Sequence, residues 1–244
     1  MNEFDIHGIK IPFSSSWDSV AVSVSGGADS ALLAYLVCKL GQPNPNFTVH
    51  VISHTRMWKT RPWQSYDSLQ VFNWLTSNYP SITFKRHVNF IAPELEYGNI
   101  GPSIKDEYGK TVSGDNIEQR AFAEFVCKTE NVDAYYNGVT RNPRNVDFKG
   151  MTERDIEPSS DNIHLRAMQH MGFWALHPFR FVEKNQIMRL YNKLGINDLR
   201  DITRSCEGEF EGIDYTTYKR GQEVPTCGEC FWCKEREWAI EHSK

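Results

Sequence analysis

The segment that most constrains this chain is a run of small and β-branched residues leading into a double-glycine turn and then a helix. Val20-Ala-Val22-Ser-Val24 predicts a buried strand, and Ser25-Gly26-Gly27-Ala28-Asp29-Ser30 follows it directly. Ala31 to Leu40 is helical by composition and closes at Gly41. Two glycines let successive N–H groups turn inward around an anion, and the following helix adds unpaired N–H groups and the positive end of its dipole. Ser25 and Ser30 can donate hydroxyls to phosphate oxygens, while Asp29 suits a helix cap or a Mg²⁺ ligand. The loop has no Lys, so it is not the G-x-x-x-x-G-K-S/T phosphate loop, and it lacks the G-x-G-x-x-G dinucleotide fingerprint.

The rest of the chain alternates in the same manner. Phe47 to Ile52, Ile82 to Val88, Ala134 to Val139 and Phe173 to Leu176 predict strands. Pro62 to Asn78, with Leu69, Phe72 and Leu75 on one side, predicts a helix. A second helix has the stripe Ile117, Ala121, Phe122, Phe125 and Val126, capped by Ser113 or Asp115. A third spans Glu183 to Leu194, with Ile187, Leu190, Tyr191 and Leu194 inward and Gly195 closing it. Asn89 to Val112 reads as a loop or an active-site flap, and Thr140 to Ser160 as another polar loop. The fold class expected is α/β: a parallel, five-stranded-type sheet with helices on both faces, binding its ligand at the carboxyl ends of the strands. This organisation divides as 1–200 for the nucleotide domain and 201–244 for a C-terminal metal region.

Charge and composition narrow the partners. Lys+Arg number 27 against 31 Asp+Glu, a formal charge of −4, which argues against nucleic acid held by overall charge. Hydrophobic residues are 40% and charged residues 24%, which excludes disordered and fibrous classes. No run of about 18 apolar residues suggests a membrane span. The polar N-terminal stretch lacks a signal-peptide core, so the expected compartment is cytoplasmic.

In that compartment clustered cysteines point to a metal. Cys227-Gly-Glu-Cys230-Phe-Trp-Cys233 is two overlapping C-x-x-C units, with Cys206 the nearest fourth ligand. Four thiolates favour a closed, structural Zn²⁺ site, with an iron–sulfur cluster as the alternative. Cys38 and Cys127 read as buried small hydrophobes.

Ser25-Gly-Gly-Ala-Asp-Ser30 resembles the S-G-G-x-D-S signature of the PP-loop ATP pyrophosphatases. Pro178-Phe179, Lys184, Thr203-Arg-Ser-Cys206 and Cys227-Gly-Glu-Cys230-x-x-Cys233-x-x-Arg236 follow in the order seen in the 7-cyano-7-deazaguanine synthases. The resemblance implies a PP-loop fold, a cytoplasmic homodimer, and ATP, Mg²⁺ and Zn²⁺ as bound groups. It implies that a carboxylate, 7-carboxy-7-deazaguanine, is adenylated and that ammonia then displaces AMP, with pyrophosphate released. Ser25, Gly26, Gly27, Ala28, Asp29 and Ser30 would bind the nucleotide phosphates, with Ser30 and Asp29 serving the chemistry. Lys184 would neutralise phosphate charge, backbone groups of Ile52 to His54 would meet adenine, and Gly138 would let the nucleotide approach. Arg120, Arg141 and Arg144 are candidates for the α-phosphate or an anionic substrate. Trp58 and Trp63, flanking Lys59 and Arg61, suit helix-edge packing better than base stacking.

The chain departs from that family in five places, one of them Glu207, which follows Cys206 where the family often has Tyr. Glu207 to Thr226 separate the first two cysteines, a longer gap than the family's. Asp115-Asn116-Ile-Glu-Gln-Arg120 stands for its R-N motif, and Gly138-Val-Thr-Arg141-Asn-Pro-Arg144-Asn for its D-x-x-x-Y-P-D-C segment. Ser53-His54-Thr55-Arg56 replaces its Y-G-Q. The acceptor therefore stays open: a synthase-like enzyme joining a deazapurine acid or another carboxylate to a different amine, or a PP-loop tRNA-modifying enzyme. A zinc-knuckle binding module is the non-enzymatic reading.

Overall fold

A computed structural model describes residues 1–56, 63–91, 104–105, 111–112, 114–144, 146–148, 167–170, 172–207 and 225–244. The chain opens with an antiparallel hairpin, β1 (Asn2–Ile6) and β2 (Ile9–Phe13), which the sequence reading did not anticipate. Next come β3 (Ser19–Ser23), α1 (Ala28–Gly41), β4 (Thr48–Arg56), α2 (Gln64–Asn78) and β5 (Thr83–Ile91). A two-residue pair, β6 (Ile104–Lys105) and β7 (Thr111–Val112), precedes α3 (Gly114–Thr129) and β8 (Ala134–Tyr136). The chain ends with β9 (Ala167–His170), β10 (Phe173–Leu176), α4 (Lys184–Leu194), α5 (Asn197–Asp201) and α6 (Phe231–Glu241).

Among the described residues the main sheet has six strands, in the order β5-β4-β3-β8-β10-β9. The first five are parallel, as expected, and β9 adds an antiparallel edge. Side chains alternate between its faces. Val20, Val22, Val49, Val51, Ala134, Tyr136 and Leu176 join one core with α1, α2 and α4. Ala21, Ile52 and Phe173 join a second, smaller core under α3, through Ala123, Val126 and Cys127. Helices thus cover both faces.

Several local expectations need correcting. Helix α3 buries Ala123, Val126 and Cys127, while Ala121 and Phe125 are exposed, so its inward face is rotated from the predicted stripe. Asp115 lies inside α3 and cannot be its cap, and Ser113 lies outside the described residues. The predicted Asn89–Val112 loop is ordered at both ends, since β5 continues to Ile91 and β6 pairs with β7. Residues 92–103 and 106–110 of it lie outside the described residues, as do Trp58, Lys59, Arg61 and Pro62. Of the Thr140–Ser160 loop, 140–144 and 146–148 are described and carry no helix or strand. Gly41 ends α1 but not as a left-handed cap, because Gln42 takes that place in right-handed geometry. A Cβ on Gly41 would lie 2.0 Å from the Phe47 ring, so the residue is small to let the chain turn back into β4. Gly195 does cap α4 in the left-handed region, at φ 68°.

Candidate active site

Strand order places the nucleotide loop. Strand β3 has β4 on one side and β8 on the other, and the connections run outward from it in opposite directions. The switch point of the sheet therefore falls between β3 and β8, and ligands of open α/β sheets bind in the crevice beyond the carboxyl ends of the strands at such a point. Ser25 to Ser30 occupies the β3 side and Asn137 to Arg141 the β8 side.

The turn is built for a tight backbone. Gly26 has φ +85°, and a Cβ there would lie 2.5 Å from Asp67 Cβ on α2. Gly27 caps α1, with no side-chain capping bond, so Asp29 is not the cap. The two serines preorganise the loop: Ser25 N–H donates to Ser30 Oγ at 3.2 Å, Gly27 N–H to Ser25 Oγ at 3.3 Å, and Ser30 Oγ–H to the Gly27 carbonyl at 3.1 Å. Burial raises the Asp67 carboxyl to about 6 against the partial relief of Arg204. The Arg204 guanidinium lies 4.8 Å from the centre of the Trp63 ring, so Trp63 packs at a helix edge.

Asp29 turns instead toward α4. Its Oδ2 accepts from Lys184 Nζ and, at 3.4 Å, from the Thr140 hydroxyl, while Oδ1 is buried with no hydrogen-bond partner. Lys184 is only 3% exposed, so it is no solvated surface lysine. Its position is firmly set. Glu183 caps α4 in a capping box with Gln186, and buried Tyr191 donates to the Ala28 carbonyl at 2.7 Å. Two helices that meet nowhere in sequence are thereby joined at the phosphate loop.

The remaining predicted residues are dispersed. A Cβ on Gly138 would approach Ser30 Cα to 3.1 Å, so this glycine admits the N-terminal turn of α1 rather than opening space for a nucleotide. Arg141 donates to Glu183 at 2.7 Å, and Arg144 lies 4.0 Å from the same carboxylate, so both brace the start of α4. Arg120 is exposed on α3. Burial, Arg180 and Arg120 together lower His177 to about 4. His54 is buried at the end of β4, edge-on to Phe122 at 5.9 Å. The Ile52 carbonyl accepts from Val24 N–H at 2.7 Å, and the pairing of parallel strands turns the His54 backbone to that same side, beyond the end of β3. Thr140 and Asp67 were not anticipated at the loop, because their only sequence signal is their place after a strand and within a helix.

The cysteines converge. Cys206, Cys227, Cys230 and Cys233 place their sulfurs all within 4.8 Å of one another. Cys206 and Cys227 are 3.5 Å apart and Cys227 and Cys233 3.9 Å, near the ~3.8 Å edge of a zinc tetrathiolate. Burial raises the Cys227 thiol, but the N–H groups of Cys230 and Glu229, with hydrogen bonds from the Cys206 and Cys230 thiols, together outweigh it and bring it to about 7. Gly228, at φ 73°, makes the knuckle turn. The donor set thus fits a metal ion. The same segment touches the nucleotide loop, since Arg204 N–H donates to the Gly26 carbonyl at 2.9 Å. Arg236 of α6, largely buried, donates to Thr203 Oγ1 and the Arg200 carbonyl, both at 2.9 Å.

No family model and no curated protein matches the chain. Solved structures similar to it include the tRNA thiolase NcsA of Methanococcus maripaludis with its 4Fe–4S cluster, at 16% identity and TM-score 0.45, covering 91% of this chain and 63% of that one. An NH3-dependent NAD synthetase of Campylobacter jejuni, in complex with nitrate, is similar at 16% identity and TM-score 0.44, over 77% of this chain and 69% of that one. The FMN adenylyltransferase of Candida glabrata with ATP is similar at 15% identity and TM-score 0.39, over 95% and 65%. The chain thus spans less than two thirds of the thiolase and adenylyltransferase chains.

Proposed function

We propose that this chain is an ATP-dependent enzyme that adenylates a carboxylate and releases AMP and pyrophosphate. One observation carries the reading: a glycine turn at the sheet's switch point, leading into a helix N-terminus and beside the ion pair of buried Lys184 with half-buried Asp29. The phosphates of ATP would lie against the N–H groups of Gly27 to Ser30, where the dipole of α1 favours negative charge. Ser25 and Ser30 would exchange their mutual hydrogen bonds for bonds to phosphate oxygens. Lys184 would neutralise charge building on the departing pyrophosphate. Asp29 Oδ1, buried and without a partner, fits a Mg²⁺ ligand; the ion supplies charge neutralisation when bound. The His54 backbone faces the crevice where an adenine edge would lie. Cys206, Cys227, Cys230 and Cys233 would hold Zn²⁺ as a structural clasp, with no coordination position left for substrate.

The chemical class follows from the resemblance of the loop and cysteine motifs to 7-cyano-7-deazaguanine synthases. The substrate is 7-carboxy-7-deazaguanine: its carboxylate attacks the α-phosphate with loss of pyrophosphate, ammonia displaces AMP to give the amide, and a second ATP activates the amide oxygen, which departs with AMP to leave the nitrile. The altered Gly138 to Asn145 segment favours a second acceptor, a different amine on a small molecule or protein. Protein incubated with ATP, Mg²⁺, 7-carboxy-7-deazaguanine and ammonium, or a panel of amines, tests both. AMP formed only with ammonium supports the nitrile route, and AMP formed only with another amine supports the second. No AMP with any acid and amine would remove the proposal. The cytoplasmic homodimer belongs to the same reading, and sedimentation tests the dimer.

A further inference from the structure

On the α3 face of the sheet, away from the crevice, three metal-binding side chains converge. His50 projects from β4 and His87 from β5, while Glu130 follows the last residue of α3. His50 Nδ1 lies 3.1 Å from His87 Nε2 and 3.9 Å from Glu130 Oε2. All three donor atoms lie within 4.8 Å of one another. The two imidazoles are nearly parallel, at 17°. His50 is 1% exposed.

The two facing ring nitrogens share a hydrogen bond, so one carries a proton and the other a lone pair. We propose that His50, His87 and Glu130 form a second divalent-metal site of zinc type, with a fourth position open to water, which fastens the end of α3 to β4 and β5. Zinc bound by nitrogen and oxygen at about 2.0–2.1 Å spaces its ligands by about 3.3 Å, close to the separations here. His₂Glu is a donor set that zinc uses with one position left open. Binding needs no net proton loss: the donor imidazole moves its proton to the other ring nitrogen, and the ion takes the place between the rings. Lys85 now donates to Glu130 at 2.6 Å, but its side chain is 49% exposed and can swing into solvent as the ion enters. The site has a mechanical purpose, since the core under α3 is small. It stands four residues before His54 on β4, about 13 Å along the strand from the nucleotide end.

Metal-stripped protein titrated with Zn²⁺ alone tests this. Wild type should bind two ions, one in the cysteine cluster. His87→Ala and Glu130→Gln should each bind one, the second affinity falling about 100-fold or more. Cys227→Ser with Cys230→Ser should keep the other ion, and Co²⁺ in that variant should show ligand-field bands without thiolate charge transfer. Should His87→Ala fold poorly, Glu130→Gln, changed beyond the helix end, gives the same reading. One ion in wild type, unchanged in Glu130→Gln, would overturn the proposal.

Discussion

Lys184 donates a hydrogen bond to Asp29 across 155 residues of sequence, and this pair joins the first turns of α4 and α1 at the nucleotide loop. Removing one partner of a buried pair leaves the other charge uncompensated. Lys184→Ala should therefore cost roughly 3 kcal/mol of stability, read by urea unfolding, and should lower ATP affinity as well. Lys184→Ala with Asp29→Asn should recover stability but not ATP affinity. Recovery of both would reduce the pair to a structural tie.

Gly138 and Gly26 yield to different obstacles. Gly138→Ala pushes a methyl within 3.1 Å of Ser30 Cα, so α1 must shift. The expected cost is about 1–3 kcal/mol, with ATP Kd rising at least tenfold because the loop moves with the helix. Gly26→Ala should cost more, since it adds left-handed strain to a 2.5 Å approach to Asp67 Cβ. Thermal unfolding of the two variants ranks them, and the reverse order would contradict the geometry.

The cysteine cluster is predicted to support the nucleotide loop through Arg204. Cys227→Ser should lose the zinc of the cysteine cluster and lower Tm on the order of 10 °C. Chelation of wild type should lower Tm at least as far, since it also removes the ion proposed at His50, His87 and Glu130. ATP binding should weaken in both, because the Arg204 N–H that holds the Gly26 carbonyl sits two residues before Cys206. Metal analysis and ATP titration of the same samples check the coupling.

His177 predicts a pH effect. Burial, Arg180 and Arg120 lower it from 6.5 to about 4, so the folded chain binds its proton less readily than the unfolded chain. The stability it confers is complete above about 6.5 and is lost as pH falls toward 4. His177→Gln should flatten the stability profile over that window by about 1–3 kcal/mol. Identical slopes for wild type and variant would contradict the assignment.

Much of this architecture is written in local sequence. Val20 to Val24 and Phe173 to Leu176 are apolar enough to specify strands, and Gly195 stops α4 where a left-handed cap is needed. The C-x-x-C spacing announces the cysteine cluster for the same reason: it depends on residues a few positions apart. What escaped depends on distant partners. Lys184 could be tied to phosphate only through resemblance, because nothing near it in sequence shows that Asp29 waits across the fold. The inward face of α3 was misjudged because Phe125 is apolar yet exposed, and periodicity cannot tell a buried ring from a bare one. His50 and His87 looked like ordinary strand residues until the pairing of β4 with β5 set them side by side.

The central claim is that the crevice cleaves ATP between the α- and β-phosphates. The direct measurement is the identity of the nucleotide product when wild type and Lys184→Ala turn over ATP with 7-carboxy-7-deazaguanine and ammonium or the amine panel. The account predicts AMP and pyrophosphate in equal amounts from wild type, dependent on the acid, and loss of both in Lys184→Ala. ADP and phosphate, or AMP release that ignores both the acid and Lys184, would contradict it.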